Sequence, residues 1–332
     1  MGVYRTNGAL SFAKKEASFG AGATFASEDI VETTDATNIK PEVSNIERKV
    51  KTASFVARPG MAGKESATAT FETELIPKDA TAGDGIMGEV LLEVTAGIRV
   101  ANGATIDSTN HKIVDKSSDA SGDAVLYKLN KPCGTQDSLA IKRLFGCSTA
   151  DSKSLSAVGC IPKSVKFNVP TADIATATYE LEGIGFATAE GETVPAYVPV
   201  DVDPYVGKNV VFKVDGTIKD AKDVSFTLTN ETTDVEAITG SGVSSKVVVS
   251  KTISGSLSLQ FDGWDELNKF KNNTDAELYV ELDNGTRVFA LYFPKIRYKS
   301  VSVEDDNGIL VNKIEFNASE DANGEAVLIA HK

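Results

Sequence analysis

Two histidines, His111 and His331, and three cysteines, Cys133, Cys147 and Cys160, are all the imidazoles and thiols this chain of 332 residues carries. Neither histidine stands near a cysteine or the other histidine in sequence, and no Cys-x-x-Cys occurs, so no zinc-site spacing is present. A Ser-His-Asp triad would have to recruit His111 from a polar run, and no serine lies in a Gly-x-Ser-x-Gly elbow. Gly183-Ile-Gly-Phe and Gly240-Ser-Gly lack the remaining glycines and the strand-to-helix setting of a phosphate loop. They read as strand ends and turns. The acidic clusters Asp201 to Asp203 and Glu304-Asp305-Asp306-Asn-Gly resemble fragments of calcium loops without the EF-hand ligand spacing or its closing Glu. Solvated turns are the expectation for both, and a plain hairpin tip for Arg58-Pro-Gly-Met-Ala-Gly. The residues predict no catalytic site, no cofactor and no metal. The chain does not read as an enzyme.

The bulk composition points the same way. Hydrophobic residues make up 41% and charged residues 24%, the balance of a folded protein long enough for two domains. A net charge of −13 with a pI near 4.8 argues against a protein that grips nucleic acid, because phosphate contacts need Lys and Arg clusters. It suits a wall that nucleic acid slides past. Cys147 and Cys160 could pair across a loop and leave Cys133 free, although reduced thiols are the expectation. Met1-Gly-Val-Tyr-Arg-Thr-Asn has no basic start followed by an apolar core, which predicts no secretory signal and synthesis in the cytoplasm. No stretch approaches the roughly 18–20 apolar residues of a membrane span, so no membrane anchor is expected.

The elements that must carry the function are mainly strands. Residues 1–40 are rich in Gly, Ala, Ser and Thr and read as an extended arm ordered against a neighbour. In Ser66 to Leu75, the residues Ala67, Ala69, Phe71 and Leu75 share one face, and Ser66, Thr68, Thr70, Glu72 and Glu74 the other, the period of a strand with one wet side. Between Asp84 and Ile98 the period changes: Ile86, Met87, Val90, Leu91, Val94 and Ile98 recur at helical steps, weakened by Gly85, Gly88 and Gly97. Residues 101–123 form a polar run that predicts a long loop or hairpin. Strand patterns resume at Ala124 to Leu129, Ser138 to Phe145, Lys163 to Val169 and Thr176 to Glu182. Pro195, Pro199 and Pro204 mark a linker.

The second half alternates cleanly. Val224, Phe226 and Leu228 oppose Asp223, Ser225, Thr227 and Thr229, and Ile253, Leu257, Leu259 and Phe261 oppose Thr252, Ser254, Ser256 and Ser258. Trp264 to Lys271 predicts a short helix. Strands at Ala276 to Leu282 and Arg287 to Phe293 turn through Asp283-Asn-Gly-Thr, and strands at Ile296 to Val303 and Val311 to Asn317 turn through Asp305 to Gly308. The two halves echo each other. Lys163-Ser-Val-Lys and Lys299-Ser-Val-Ser each precede a further strand, Tyr179-Glu-Leu-Glu-Gly and Ile314-Glu-Phe-Asn-Ala. Ala67 to Leu75 matches Ile253 to Phe261, and each match leads into a helix.

Three segments carry a resemblance. Asn209-Val-Val-Phe-Lys-Val-Asp-Gly, Lys222-Asp-Val-Ser-Phe-Thr-Leu-Thr-Asn-Glu and Thr252-Ile-Ser-Gly-Ser-Leu-Ser-Leu-Gln-Phe-Asp resemble the major tail tube proteins of long-tailed, siphovirus-type bacteriophages. The likeness is close over residues 160–320 and looser over 40–160. The arm and the 101–123 run depart from the pattern. The resemblance implies a mainly β fold of two tandem tail-tube-like β-sandwich or barrel units, each with a short flanking helix. Their bounds are 41–190 with the insertion at 101–123, and 208–332, with 191–207 as linker.

What such a family does follows as expectation. The chain would be a structural virion protein of the tail, polymerising into stacked homo-oligomeric rings that conduct DNA without binding it specifically. The rings would be trimeric if the units are duplicated and hexameric otherwise. The resemblance also implies association with other tail proteins such as the tape measure and terminator. A conduit for phosphates needs a wet, acidic or neutral lumen. Ser66, Thr68, Thr70, Glu72, Glu74, Asp223, Ser225, Thr227, Thr229, Thr252, Ser254, Ser256 and Ser258 would line it. The rival reading, an extracellular β-sandwich adhesin or carbohydrate-binding module, shares the turns and Thr/Ser-rich strands but ordinarily needs an export signal or surface anchor.

Overall fold

A computed structural model of the chain describes residues 9–47, 60–78, 85–129, 136–146, 149–197, 199, 201–236 and 243–332. Arg58 and Pro59, Cys133, Cys147 and Gly240 to Gly242 lie outside them. The fold is mainly β. The first half contributes β1 (Leu10–Lys15), β2 (Ile30–Val31), β3 (Asn38–Ile46), β4 (Met61–Glu74), α1 (Glu89–Ala96), β5 (Gly97–Asp107), β6 (Lys112–Asp115), β7 (Ala124–Leu129), β8 (Leu139–Phe145), β9 (Lys153–Pro170), β10 (Thr176–Gly183) and β11 (Gly185–Glu190). The second contributes β12 (Val210–Val214), β13 (Thr217–Ile218), β14 (Ala221–Glu236), β15 (Val243–Gln260), α2 (Asp265–Asn272), β16 (Ala276–Asp283), β17 (Val288–Asp306), β18 (Ile309–Ala318) and β19 (Leu328–His331).

β9 and β17 run past the ends that alternation predicts. β17 joins the runs expected as separate strands on either side of Pro294, and β9 begins ten residues before Lys163. Each changes partners along its length. The start of β9 lies between β8 and β11, and its end between β10 and β14. The start of β17 lies between β16 and β19, and its end pairs with β18. Lys163 and Lys299 are the extra residues of the bulges where β9 meets β10 and β17 meets β18. A bulge bends its strand; Pro162 lies beside the β9 bulge and Pro294 at the irregularity between β16 and β17, and neither supplies a ladder donor.

The pairings recur in the same order in both halves. β3–β4–β10–β9–β8–β1–β2 is one antiparallel path, with β11 beside the start of β9. β14–β15–β18–β17–β16–β12–β13 is the other, with β19 beside the start of β17. β5, β6 and β7 have no counterpart and extend the β19 edge. The polar run at 101–123 is the end of β5, its hairpin to β6 and the turn into β7. The two paths join where β9 pairs with β14, giving one continuous run β3–β4–β10–β9–β14–β15–β18–β17. Among the described residues no strand pairs with the outer edge of β3 or with the edge of the final stretch of β17 that faces away from β18, so the run does not close into a barrel within the chain.

Of the arm expected at 1–40 to be ordered against a neighbour, residues 1–8 lie outside the described residues, and the rest places β1 and β2 inside the chain's own sheet, β1 against β8. Phe12 and Ile30 are buried there. This apolar contact was faint in the sequence, because only Leu10, Phe12 and Ala13 signal it. The shorter sheets pack on the apolar face of the long run. Phe226 stacks on Phe167 at 4.6 Å and meets Phe293 edge-on at 5.2 Å, and Phe316 meets Phe293 at 5.9 Å. Such aromatic pairs contribute beyond their buried area.

Helix α1 is shorter than Asp84 to Ile98 predicts. It starts after Gly88 and stops at Gly97, both in the left-handed region, where glycine carries no Cβ penalty. Its Leu91, Leu92, Val94, Thr95 and Ala96 are buried. Helix α2 follows its expected span, with Asp265 and Glu266 in the first turn and Lys269 and Lys271 in the last, the arrangement that complements a helix dipole. No helix among the described residues is long and apolar enough to cross a membrane.

Candidate functional site

His331 is buried on β19 with its ring 6.4 Å from that of Tyr205, and His111 lies 5.7 Å from Tyr279. Cys160 is a buried free thiol whose pKa is raised, burial being the largest cause. Asp305 Oδ1 accepts the Gly308 N–H at 3.1 Å, and Asp306 pairs with Lys222, so that acidic cluster is the expected turn. Among the described residues no His, Cys, Asp and Glu side chains gather as a metal set.

What the structure does bring together is a surface. Directly opposed residues in a sheet project to the same face. Glu72, Thr178, Lys166, Thr227, Ser254 and Asn317 stand side by side across consecutive strands β4 to β18. A second row runs Glu74, Thr176, Asn168, Ser225, Ser256, Glu315 and Ser300. A third runs Thr70, Glu180, Ser164, Thr229 and Thr252. Thr68 opposes Glu182, Ser66 opposes Glu42, and Asp223 opposes Ser258. All the residues singled out from alternation on β4, β14 and β15 therefore share one face of the long run. Alternation on β9 and β10 could have added Ser164, Lys166, Asn168, Thr176, Thr178, Glu180 and Glu182. The contributions of β3, β17 and β18 depend on knowing which strands pair.

The face is hydroxyl-rich and acidic. Glu42, Glu72, Glu74, Glu180, Glu182, Asp223, Glu304 and Glu315 outnumber Lys40, Lys166, Arg297 and Lys313 on it, and still do when the bulge lysines Lys163 and Lys299, which pair with Glu182 and Glu315, are added. Several carboxylates are held by their neighbours. Thr34 donates to Glu72 at 2.7 Å and Thr178 at 3.2 Å, Ser164 donates to Glu180 at 3.1 Å, and Lys313 pairs with Glu304 at 2.6 Å. Burial pushes the Glu182 carboxyl up, but the hydrogen bond from Lys163 at 2.8 Å and the charge of Lys246 outweigh it and leave its pKa lowered. Lys246 and Lys64 both pair with Asp234, at 2.7 and 2.5 Å, tying the ends of the β3–β4 and β14–β15 hairpins together.

The β14–β15 hairpin also reaches α1. Asn230 and Lys251 are directly opposed on β14 and β15. Asn230 Nδ2 donates to the carbonyls of Pro162 at 2.9 Å and Thr95 at 3.3 Å. Lys251 Nζ donates to Thr95 O at 3.1 Å and Ala96 O at 2.6 Å. The last carbonyls of α1, which have no partner within the helix, are thus capped from the other half of the chain. Burial lowers the Lys251 pKa to about 8.

Among the described residues, the structure thus presents a continuous polar face bounded by two strand edges that have no partner within the chain. A family model described as phage tail tube protein matches residues 6–323. No curated protein matches the chain.

Proposed function

The chain belongs to the phage tail tube protein family, and on that footing we propose that it polymerises into rings that stack into the tail tube and conduct DNA during ejection. One observation carries the reading. The two unpaired edges, β3 and the end of β17, are the counterparts of β14 and the end of β9, which already pair inside the chain. The pairing order supports two tandem tail-tube units joined at that seam. A second copy can repeat the seam, and three copies give a ring with pseudo-sixfold symmetry.

The repeat supports one register for the seam between copies. The bulge residues Lys163 and Lys299 align β9 with β17. Leu181 opposes Ala69 as Phe316 opposes Gly255, which aligns β4 with β15, and therefore Ile39 with Phe226. Phe167 pairs with Phe226 inside the chain, so Val303 of one copy would face Ile39 of the next, and Ser302 would face Lys40.

Size supports an open conduit. Eight strands close around an interior just wide enough for side chains, whereas three copies bring about 24 strands, beyond the roughly 16–18 of barrels that hold an aqueous channel. The shorter sheets occupy the apolar side, which needs the larger radius. That leaves the polar face, including Glu72, Asp223 and Ser256, toward the lumen. Closure would also remove both strand edges, which otherwise invite uncontrolled pairing. The tape measure and terminator would be further partners within the tail. Family membership leaves the adhesin reading without support.

Electron microscopy of the concentrated protein tests the ring, together with the variant Ser302→Cys/Lys40→Cys. Rings of three chain masses, converted to covalent trimers by oxidation, are expected. Rings of six chain masses, or dispersed monomers that never cross-link at any salt concentration, would overturn the reading.

A further inference from the structure

The way the β14–β15 hairpin meets α1 bears on the seam between copies. Inside the chain, Asn230 and Lys251 cap the last turn of α1. The register that aligns Ala69 with Gly255 and Ile39 with Phe226 places Val43 at the position of Asn230 and Glu65 at that of Lys251. Val43 and Glu65 are themselves directly opposed. Gly97 and Asn273 are the left-handed residues that end α1 and α2, so Phe270, Lys271 and Asn272 occupy the places of Val94, Thr95 and Ala96.

We propose that the last turn of α2 is the seat for the β3–β4 hairpin of a second copy of this chain, with Val43 against Phe270 and Glu65 against Lys271. The inference rests on the ring reading above and adds to it a contact outside the sheet. Val43 is 49% exposed and Phe270 39% exposed in the single chain, whereas Val94, at the place of Phe270, is 1% exposed. The chemistry at the seat is exchanged rather than copied. Within the chain a lysine meets bare helix carbonyls; between copies a carboxylate meets the exposed Lys271, while Lys269 is held within the chain by Asp215 at 2.7 Å and Glu266 at 3.3 Å. Charge complementarity of this kind favours one partner and one orientation. The seat commits to the hairpin of a second copy because the β3 edge that would pair with β17 carries that hairpin with it.

The test uses the full chain with the variants Glu65→Lys, Lys271→Glu, the pair together, and Phe270→Asp. These side chains are exposed, and circular dichroism checks that each variant folds. Glu65→Lys and Phe270→Asp are each expected to raise the concentration at which rings appear about tenfold, and the Glu65→Lys/Lys271→Glu pair to bring it back toward the parent. In rings of a Val43→Cys/Phe270→Cys variant, oxidation is expected to link neighbouring copies. If the parent forms rings that cross-link through Ser302→Cys/Lys40→Cys while Phe270→Asp and Glu65→Lys assemble unchanged, the seat is wrong and the ring stands. If the parent forms no rings and no cross-links, both fall.

Discussion

At the scale of single residues, the two halves solve one packing problem with different side chains. A Cβ on Gly255 would come within 2.3 Å of the Phe316 ring and 2.8 Å of the Ser225 carbonyl oxygen. At the counterpart site Ala69 faces Leu181. A larger side chain on β15 needs a smaller one on β18. Gly255→Ala is therefore expected to cost about 1–3 kcal/mol by overpacking, read as a lower urea midpoint, and Phe316→Leu in the same chain should recover part of it. Full stability in Gly255→Ala alone would show that the ring can move aside. Lys251 gives a pH signature with a definite sign. Its pKa is lowered by burial to about 8, against 10.5 for the free group. The folded chain therefore carries the cost of a buried charge below about pH 8. That cost is relieved as pH rises toward 10.5, where the unfolded chain still binds the proton that the folded chain has lost. Wild type should gain stability relative to Lys251→Met across that window, measured by urea unfolding at pH 7 and pH 10. A constant difference would place the ammonium in solvent.

At the scale of elements, the polar faces of β4, β14 and β15 were legible because period-2 alternation survives wherever one side of a strand is buried. Helix α2 was legible from the three-residue step of Trp264, Leu267 and Phe270, although Trp264 and Phe270 are exposed in the single chain and the buried residue of the helix is Glu266. What alternation could not supply was adjacency. Lys166 and Thr227 share a row only because β9 pairs with β14 across more than fifty residues of intervening chain, and no local pattern encodes that meeting. Pro162 and Pro294 concealed something else: each sits in a strand that crosses between sheets, where proline would ordinarily mark an end. The β1 strand was hidden by its small residues. The shared face carries its own prediction. Asp223 is exposed on it, and Asp223→Lys should leave tubes intact while slowing DNA passage, because a lysine gives phosphates a place to bind. Ejection kinetics from phage carrying the variant measure this. Unchanged kinetics at low salt, where such attraction is strongest, would place the face away from the DNA path.

At the scale of the whole molecule, the two repeated paths are not independent bodies. The β9–β14 pairing runs from Ser164 opposite Thr229 to Pro170 opposite Asp223, and its apolar side holds the stacked pair Phe167 and Phe226. The segment between the paths is anchored as well. Tyr205 is buried, its N–H donates to the Leu75 carbonyl, and its own carbonyl accepts from Ala175, each at 2.9 Å. Separating the halves would expose Phe167, Phe226 and Tyr205 together and orphan a full ladder of backbone groups. At about 25 cal/mol per Å² of apolar surface, that exposure alone is several kcal/mol, a large share of ordinary domain stability. Hydrogen exchange should therefore report one global opening, with the amides of β10 and β18 exchanging at the same free energy although they belong to different paths. Markedly faster exchange in β18 would mean that the second path opens alone. A ring built from such chains would then be jointed at six places instead of three, and pairing between copies would have to lock both kinds of seam.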